Sequence, residues 1–257
     1  MKAISAQVST QLKPLLAFAL LLLIWEFGAP LTGMPAYVLP QPSAIWARFV
    51  ATASVQMQGL LMTGFTTLAG LSLALVFGVL LALTVVYMPV LRSIIMPLLA
   101  AFNSIPKIAI APLFVIWFGL GYESKVLLAF LLALFPIFVN SLTGLNEIES
   151  DMIDLSTLAG GTPWRIFTKV RFMNALPYIT DALRVAFPLA LVGSIVGEFI
   201  GGNSGIGYLI LSGQFNMDTP LVFAALLSIT LFTTLGMGLI TLVEHAFLGW
   251  RPSKRKR

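Results

Sequence analysis

The chain has no cysteine and a single histidine, and only 10% of its 257 residues are Asp, Glu, Lys or Arg. Without cysteine there is neither a disulfide framework nor a thiolate-held zinc or iron–sulfur centre. With His245 alone, beside Glu244, there is no second imidazole for a metal pair or a proton relay. At a helix end that ring is better placed to meet terminal carbonyls. No G-x-x-x-x-G-K-[ST] run occurs either, so the chain has no P-loop of its own in which to hold ATP phosphates. The scarcity of charge, against about 25% in an ordinary soluble domain, is matched by 58% apolar residues.

Those apolar residues fall in blocks of about 20 or more, the length at which a helix crosses ~30 Å of hydrocarbon. Six blocks, at roughly 14–32, 60–87, 94–118, 125–144, 183–205 and 221–247, predict an all-α polytopic bundle of six transmembrane helices forming one domain over 1–257. An even number of spans puts both termini on one side. Lys2, Lys13, Arg92, Arg165, Lys169, Arg171, Arg184, Arg251, Lys254, Arg255, Lys256 and Arg257 then fall on that side, and only Arg48, Lys107 and Lys125 elsewhere, which makes it the cytoplasmic side. The net charge of +5 therefore reports topology rather than nucleic-acid binding. The first block runs past the apolar core of a signal peptide and lacks a clear small-x-small cleavage site, so it is expected to stay as the first span. Pro35, Pro40 and Pro42 break the chain after it, and Ser43 is expected to cap a short interfacial helix from Ala44 to about Met57.

One polar stretch, the fourth loop at 146–181, is too long to be a simple connection. Ser150 can cap a first helix with Asp151 and Asp154 in its early turns, and Gly160-Gly161 can end it through a left-handed residue. Thr162 can cap a second helix with Pro163 in its first turn. Trp164, Ile166, Phe167, Val170, Phe172 and Met173 give that helix an apolar surface interleaved with Arg165, Lys169 and Arg171, and Pro177 is expected to end or bend it. Such a module fits an interfacial pair snorkelling its cations to anionic lipid. The sharper reading is a knob that docks into a soluble partner, because Trp, Phe and Arg dominate protein–protein hot spots.

The run Asp154-Leu155-Ser156-Thr157-Leu158-Ala159-Gly160-Gly161-Thr162-Pro163-Trp164-Arg165-Ile166-Phe167, with Ala175-Leu176-Pro177 after it, resembles the EAA loop of ABC importer permeases. Asp154-Leu155-Ser156 stands where that family has Glu-Ala-Ala, and Gly160 matches its central Gly; Asp for Glu shortens the acidic reach, and Met173 stands where a Pro usually follows. Leu39-Pro40-Gln41-Pro42-Ser43, Ile105-Pro106-Lys107-Ile108-Ala109-Ile110-Ala111-Pro112-Leu113, Trp117-Phe118-Gly119, Glu198-Phe199-Ile200-Gly201-Gly202 and Gly205-Ile206-Gly207-Tyr208-Leu209 extend the resemblance over most of the chain. The whole is similar to the nitrate/sulfonate/taurine branch of binding-protein-dependent permeases, which includes relatives for bicarbonate, riboflavin and thiamine pyrimidine precursors.

The resemblance implies the type I ABC importer permease fold in a bacterial inner membrane, with both termini cytoplasmic. It implies a homodimer above two copies of an ABC ATPase and below a periplasmic or lipid-anchored solute-binding protein, contacting membrane lipid and no nucleic acid. It assigns ATPase coupling to Asp154, Ser156, Ala159, Gly160, Gly161, Trp164, Arg165 and Phe167. The chain itself would be a transport subunit, not an enzyme, with no catalytic residue, metal or bound cofactor; ATP and Mg would be used by the partner. The solute would be a small anion, or else a pyrimidine or flavin precursor.

Within the spans, charge is costly and demands a partner or a polar pathway. Lys107, just after Pro106, lies midway through the third block and Glu198 two-thirds through the fifth, and both spans run in one direction. They could pair directly, or Lys107 could satisfy carbonyls freed by Pro106 and Pro112; alternatively one or both line the translocation path at the dimer axis. Glu26 and Asn103 read as structural. The run from Gly201 to Gly207 reads as a tight turn, and Gly64, Gly70, Gly78, Gly193 and Gly197 as points of close helix approach. A gradient-driven secondary transporter would predict inverted repeats and several intramembrane acids, and an intramembrane enzyme convergent catalytic groups.

Overall fold

The computed structural model describes residues 2–248, and Arg251, Lys254, Arg255, Lys256 and Arg257 of the orientation argument lie outside them. All regular structure among the described residues is helical: α1 (Lys2–Leu31), α2 (Pro42–Ala51), α3 (Ala53–Tyr87), α4 (Pro89–Ser104), a 3₁₀ turn (Lys107–Ile110), α5 (Ala111–Phe118), α6 (Tyr122–Asn146), α7 (Ser150–Leu158), α8 (Pro163–Ile166), a π-helical turn (Phe167–Arg171), α9 (Phe172–Gly201), α10 (Ile206–Phe215) and α11 (Thr219–Phe247).

Among the described residues, four stretches are long and apolar enough to cross a membrane: Ala53–Tyr87, Tyr122–Asn146, Pro163–Gly201 and Thr219–Ala246. A fifth arises only if Val90–Ser104 and Lys107–Phe118, bent by 83°, count as one span. The block at 94–118, read as one span, is therefore a bent pair of helices. Proline disfavours helical geometry in the residue before it, and Ile105, before Pro106, is extended at ψ 130°, so α4 stops at Ser104. The apolar part of α1, Leu16–Leu31, rises only about 24 Å.

Three other boundaries differ from the sequence reading. The short helix ends at Ala51, not near Met57; the Thr52 hydroxyl turns back onto the Arg48 carbonyl at 2.7 Å, and α3 starts at Ala53, ahead of the expected 60. Ser43 does not cap it: Gln41 is the N-cap, and its side chain makes no capping bond, its Nε2 donating instead to the Glu26 carbonyl at 3.4 Å. The cap comes instead from Glu26 of α1, whose carboxylate accepts from Ser43 N at 2.9 Å and from Ser43 Oγ at 2.6 Å. Pro177 does not end the loop's second helix, because α9 runs through it with Ala175, Ile179, Ala182 and Ala186 buried in one packed stripe.

The chain forms two compact units. In the first, residues up to 58 with 209–229, Arg48 pairs with Asp218, Gln56 with Ser228, and Trp25 meets Phe223 edge-on at 5.7 Å. The second, 59–208 with 230 onward, is built on α6 against α9. Small residues let the two helices approach: a Cβ on Gly193 would lie 2.6 Å from the Leu128 carbonyl, and Ala129, Ala133, Ala182, Ala186 and Ala190 are wholly buried. A second cluster gathers Ala82, Val85, Phe138, Leu142, Leu145, Ala175 and Ile179.

Arg184 of α9 pairs with Glu244 of α11 and lies 3.8 Å from Asp181. Breaking a buried pair leaves one charge uncompensated, typically at 3–5 kcal/mol. Glu244 has only 10% of its side chain exposed but Arg184 has 32%. We therefore expect Arg184→Met to lower stability by about 2 kcal/mol, read as a lower thermal midpoint in detergent; an unchanged midpoint would show the pair to be incidental.

Candidate functional site

The polar loop folds as two capped helices. Gly160 takes φ +79°, Gly160 N donates to the Thr157 carbonyl at 3.0 Å and Gly161 N to the Ser156 carbonyl at 2.9 Å. This is the paired bonding of a Schellman stop, with a left-handed glycine at C′. A Cβ on Gly161 would in turn collide with the Ser156 carbonyl, which accounts for the doubled glycine. On the far side, Thr162 Oγ1 accepts from Arg165 N at 3.3 Å and Pro163 occupies the first helical position. The first helix starts at Ser150 itself, with Glu149 as N-cap, one residue earlier than the capping role read for Ser150.

Around this corner the apolar side chains face outward. Leu158 is 87% exposed, Trp164 70% and Leu155 68%, with Asp154, Ala159, Gly160 and Arg165 exposed beside them. Ser156 and Phe167 are half-buried; the Ser156 hydroxyl turns back on the Met152 carbonyl at 2.7 Å. Phe167 anchors the corner, its ring 5.7 Å from Trp164 and 6.0 Å from Tyr87 of α3.

The base of α9 is tied to the end of α6. Arg171 Nη1 donates to the Leu145 carbonyl at 3.1 Å, and Asn174 Nδ2 to the Gly144 and Glu147 carbonyls at 2.8 and 3.0 Å. Tyr178 OH donates to Glu147 Oε2 at 2.7 Å. Terminal helix carbonyls lack intrahelical donors, so these side chains supply them from a neighbouring helix. Asn174, Tyr178 and Glu147 escaped the sequence reading; a polar Asn and Tyr three and seven residues past Arg171, on an otherwise apolar face, were the available signal.

Lys107 and Glu198 are not brought together. Glu198, 1% exposed, accepts from Thr63 Oγ1 at 2.7 Å and from Gly207 N at 2.8 Å, while Thr63 Oγ1 accepts from Ile206 N at 2.9 Å. Thr66 and Ser194 bond to one another just below. The cation that acts on Glu198 is Lys125, 3% exposed, through an attractive Coulombic interaction. Gly205 is left-handed at φ +105°, and a Cβ there would overlap the Glu198 carboxylate. The turn from Gly201 to Gly207 is thus wrapped on Glu198, a link that sequence spacing alone does not reveal. Lys107 instead donates to Asn103 Oδ1 at 2.8 Å, at the break between α4 and α5. The direct Lys107–Glu198 pair is corrected accordingly: the argument from equal depth assumed a straight third span. Near the end of α11, His245 Nδ1 lies 2.8 Å from the carbonyl of Thr241, one turn back along the helix and short of its terminal carbonyls.

Several apolar helices, one pair of them bent at a break, together with a capped corner of outward-facing Trp and Leu, define a multi-pass membrane protein. The family model described as "Binding-protein-dependent transport system inner membrane component" matches residues 74–248, and the chain belongs to that family. It is 37% identical to the formylaminopyrimidine transport permease protein ThiX of Halalkalibacterium halodurans, over 95% of this chain and 97% of the relative. It is 35% identical to the riboflavin transport system permease protein RibX of Chloroflexus aurantiacus, over 91% and 88%. It is 28% identical to a putative aliphatic sulfonates transport permease protein, SsuC, of Bacillus subtilis, over 94% and 88%. Among solved structures, a chain of the inward-facing MetNI methionine ABC transporter superposes with a TM-score of 0.53 at 23% identity, covering 73% of this chain and 95% of that one, which places the fold with type I ABC permeases. The protein is an ABC transporter permease, a transport subunit rather than an enzyme.

Proposed function

We propose that this chain is the membrane path of an importer in which a separate ABC ATPase, using ATP and Mg, drives alternating access and an external solute-binding protein delivers the cargo. α1 acts as a sixth span and the bent pair of α4 and α5 as the third; both termini face the cytoplasm, and two copies of the chain sit on two ATPase chains. The observation that carries this reading is the exposed corner of Leu155, Leu158 and Trp164, set between two capped ends on a polar loop. Such a surface is costly in water unless a partner covers it. Asp154, Ser156, Ala159, Gly160, Gly161, Trp164, Arg165 and Phe167 form the coupling surface, and Lys107 lines the path. Glu198 positions the glycine-rich turn, since both its oxygens are occupied within the chain.

The names of the relatives span formylaminopyrimidine, riboflavin and aliphatic sulfonates, so the cargo is a small organic solute of that range, and the cation in the path favours an anion. The reading is tested by co-purifying the tagged chain from solubilised membranes, wild type against a Gly160→Pro, Trp164→Asp double variant. Hot-spot truncations cost 2 kcal/mol or more, about 30-fold in affinity. An ATPase should co-elute with the wild type and be lost from the still-folded variant. Elution of the wild type alone, with uptake into liposomes that needs no ATP, would replace the importer by a gradient-driven transporter.

A further inference from the structure

The break between α4 and α5 opens onto a cavity of about 190 Å³. Its walls are almost wholly apolar, with Phe102, Ile110, Leu131, Leu134 and Phe135 among them, and the polar side chains in it are Lys107 and Asn103. Leu131 to Phe135 occupy the middle of α6, each at least ~13 Å from either helix end at 1.5 Å per residue. The cavity is therefore at mid-depth in the spans. There Lys107 has one amide side chain and one main-chain carbonyl as acceptors, Asn103 Oδ1 at 2.8 Å and Asn103 O at 3.4 Å. Among the described residues no carboxylate forms an ion pair with it.

A cation at mid-depth is costly unless an opposite charge or a polar pathway meets it. The backbone around it points the same way. Ile105, Pro106, Ile108 and Ala109 are exposed at the break, and non-helical backbone at membrane depth persists only where protein covers it or it lines a water-filled cavity. A single cation in an apolar recess selects for one kind of ligand: an anionic group to neutralise the ammonium, carried on a small apolar body that displaces water from the walls.

We propose that the Lys107–Asn103 cavity is a transient binding site for the transported solute, and that the solute is a compact organic anion, with a sulfonate or carboxylate group on an apolar body. Lys107 is the charge contact; Asn103 is a positioning residue that holds the ammonium toward the cavity. This rests on the importer reading above and names the chemistry of its cargo. A neutral heterocycle would gain nothing from the charge, and a lipid phosphate with its acyl chain is the other source of the same chemistry.

The absence of cysteine makes the site addressable by one introduced thiol. Ile110→Cys and Leu134→Cys place reporters on opposite walls without disturbing the Lys107–Asn103 bond. The full-length chain, with whatever ATPase co-elutes, is set in nanodiscs and labelled with anionic and cationic methanethiosulfonate reagents. The anionic-to-cationic rate ratio should fall about fivefold or more when Lys107→Met is added, the effect of one unit charge at contact distance in water, and should survive Lys107→Arg. Hexanesulfonate should slow labelling in the Lys107 background, hexanol should not, and the protection should vanish in Lys107→Met. A ratio independent of residue 107, or equal protection by hexanol, overturns the proposal. Protection that appears only on adding phosphatidylglycerol to phosphatidylcholine discs, with none from hexanesulfonate, makes the cavity a lipid site and also overturns it. Co-elution of the ATPase, scored on the same sample, reports on the importer reading separately.

Discussion

Gly205→Ala should be nearly unable to fold. At φ +105° a side chain is strained wherever it is placed, and here the added methyl would also occupy the position of the Glu198 carboxylate. Left-handed geometry alone costs about 1–2 kcal/mol. Displacing the carboxylate strands the Gly207 N–H and the Thr63 hydroxyl in a buried site, about 1–3 kcal/mol for each group left unpaired. The sum, on the order of 3–8 kcal/mol, is a large share of the 5–15 kcal/mol that holds a typical protein together. Glu198→Ala should fail for the second reason only and fall between wild type and Gly205→Ala. Glu198→Gln should be mild: its carbonyl can still accept from Gly207 N, and its amide can donate to Thr63 Oγ1. Thermal midpoints and the monodisperse fraction in detergent order the three variants. A Gly205→Ala protein as stable as wild type would remove Glu198 from its place under the turn.

The local signals that proved readable are those in which a residue's own backbone chemistry decides the outcome. Gly160 at the left-handed stop, Thr162 and Pro163 at the following start, and the alternation of apolar blocks with Pro and Gly breaks are all of this kind. The coupling role proposed for those residues comes from the family motif and not from their own chemistry. What was hidden depends on pairings between distant segments. Glu26 caps a helix that starts 16 residues later; Thr63 and Gly207 hold Glu198; Lys125, which the sequence marks only as a basic residue at the start of a span, acts on that carboxylate. Charge at a given depth could be counted, but its partner could not be chosen until the bend at Pro106 was known. Pro177, read as ending or bending the helix, does not end it. Its local preference to end a helix lost to a buried alanine stripe on both sides of it.

Docking an ATPase and being driven by it should be separable in this chain, and the Asn174→Ala, Tyr178→Phe double variant should separate them. The exposed corner and the spans are joined by the π turn and the base of α9, and wide π turns recur at functional joints in helices. A push on Trp164 reaches the spans as a movement of α9 relative to α6 only if the two helices move as one body. The ties that make them so are Asn174 to the Gly144 and Glu147 carbonyls and Tyr178 to the Glu147 carboxylate. At about 1 kcal/mol each, three bonds are comparable to a whole coupling free energy of 1–3 kcal/mol, which corresponds to 5–150-fold. None of them touches the exposed corner, so ATPase co-elution and basal ATP hydrolysis should match wild type. ATP-dependent uptake into proteoliposomes should fall about tenfold or more. Arg171 still holds the Leu145 carbonyl at 3.1 Å, so the helices should stay docked and the thermal midpoint should drop only modestly. Uptake at the wild-type level would mean that the push travels by another route, with the Phe167–Tyr87 contact to α3 the next to be broken.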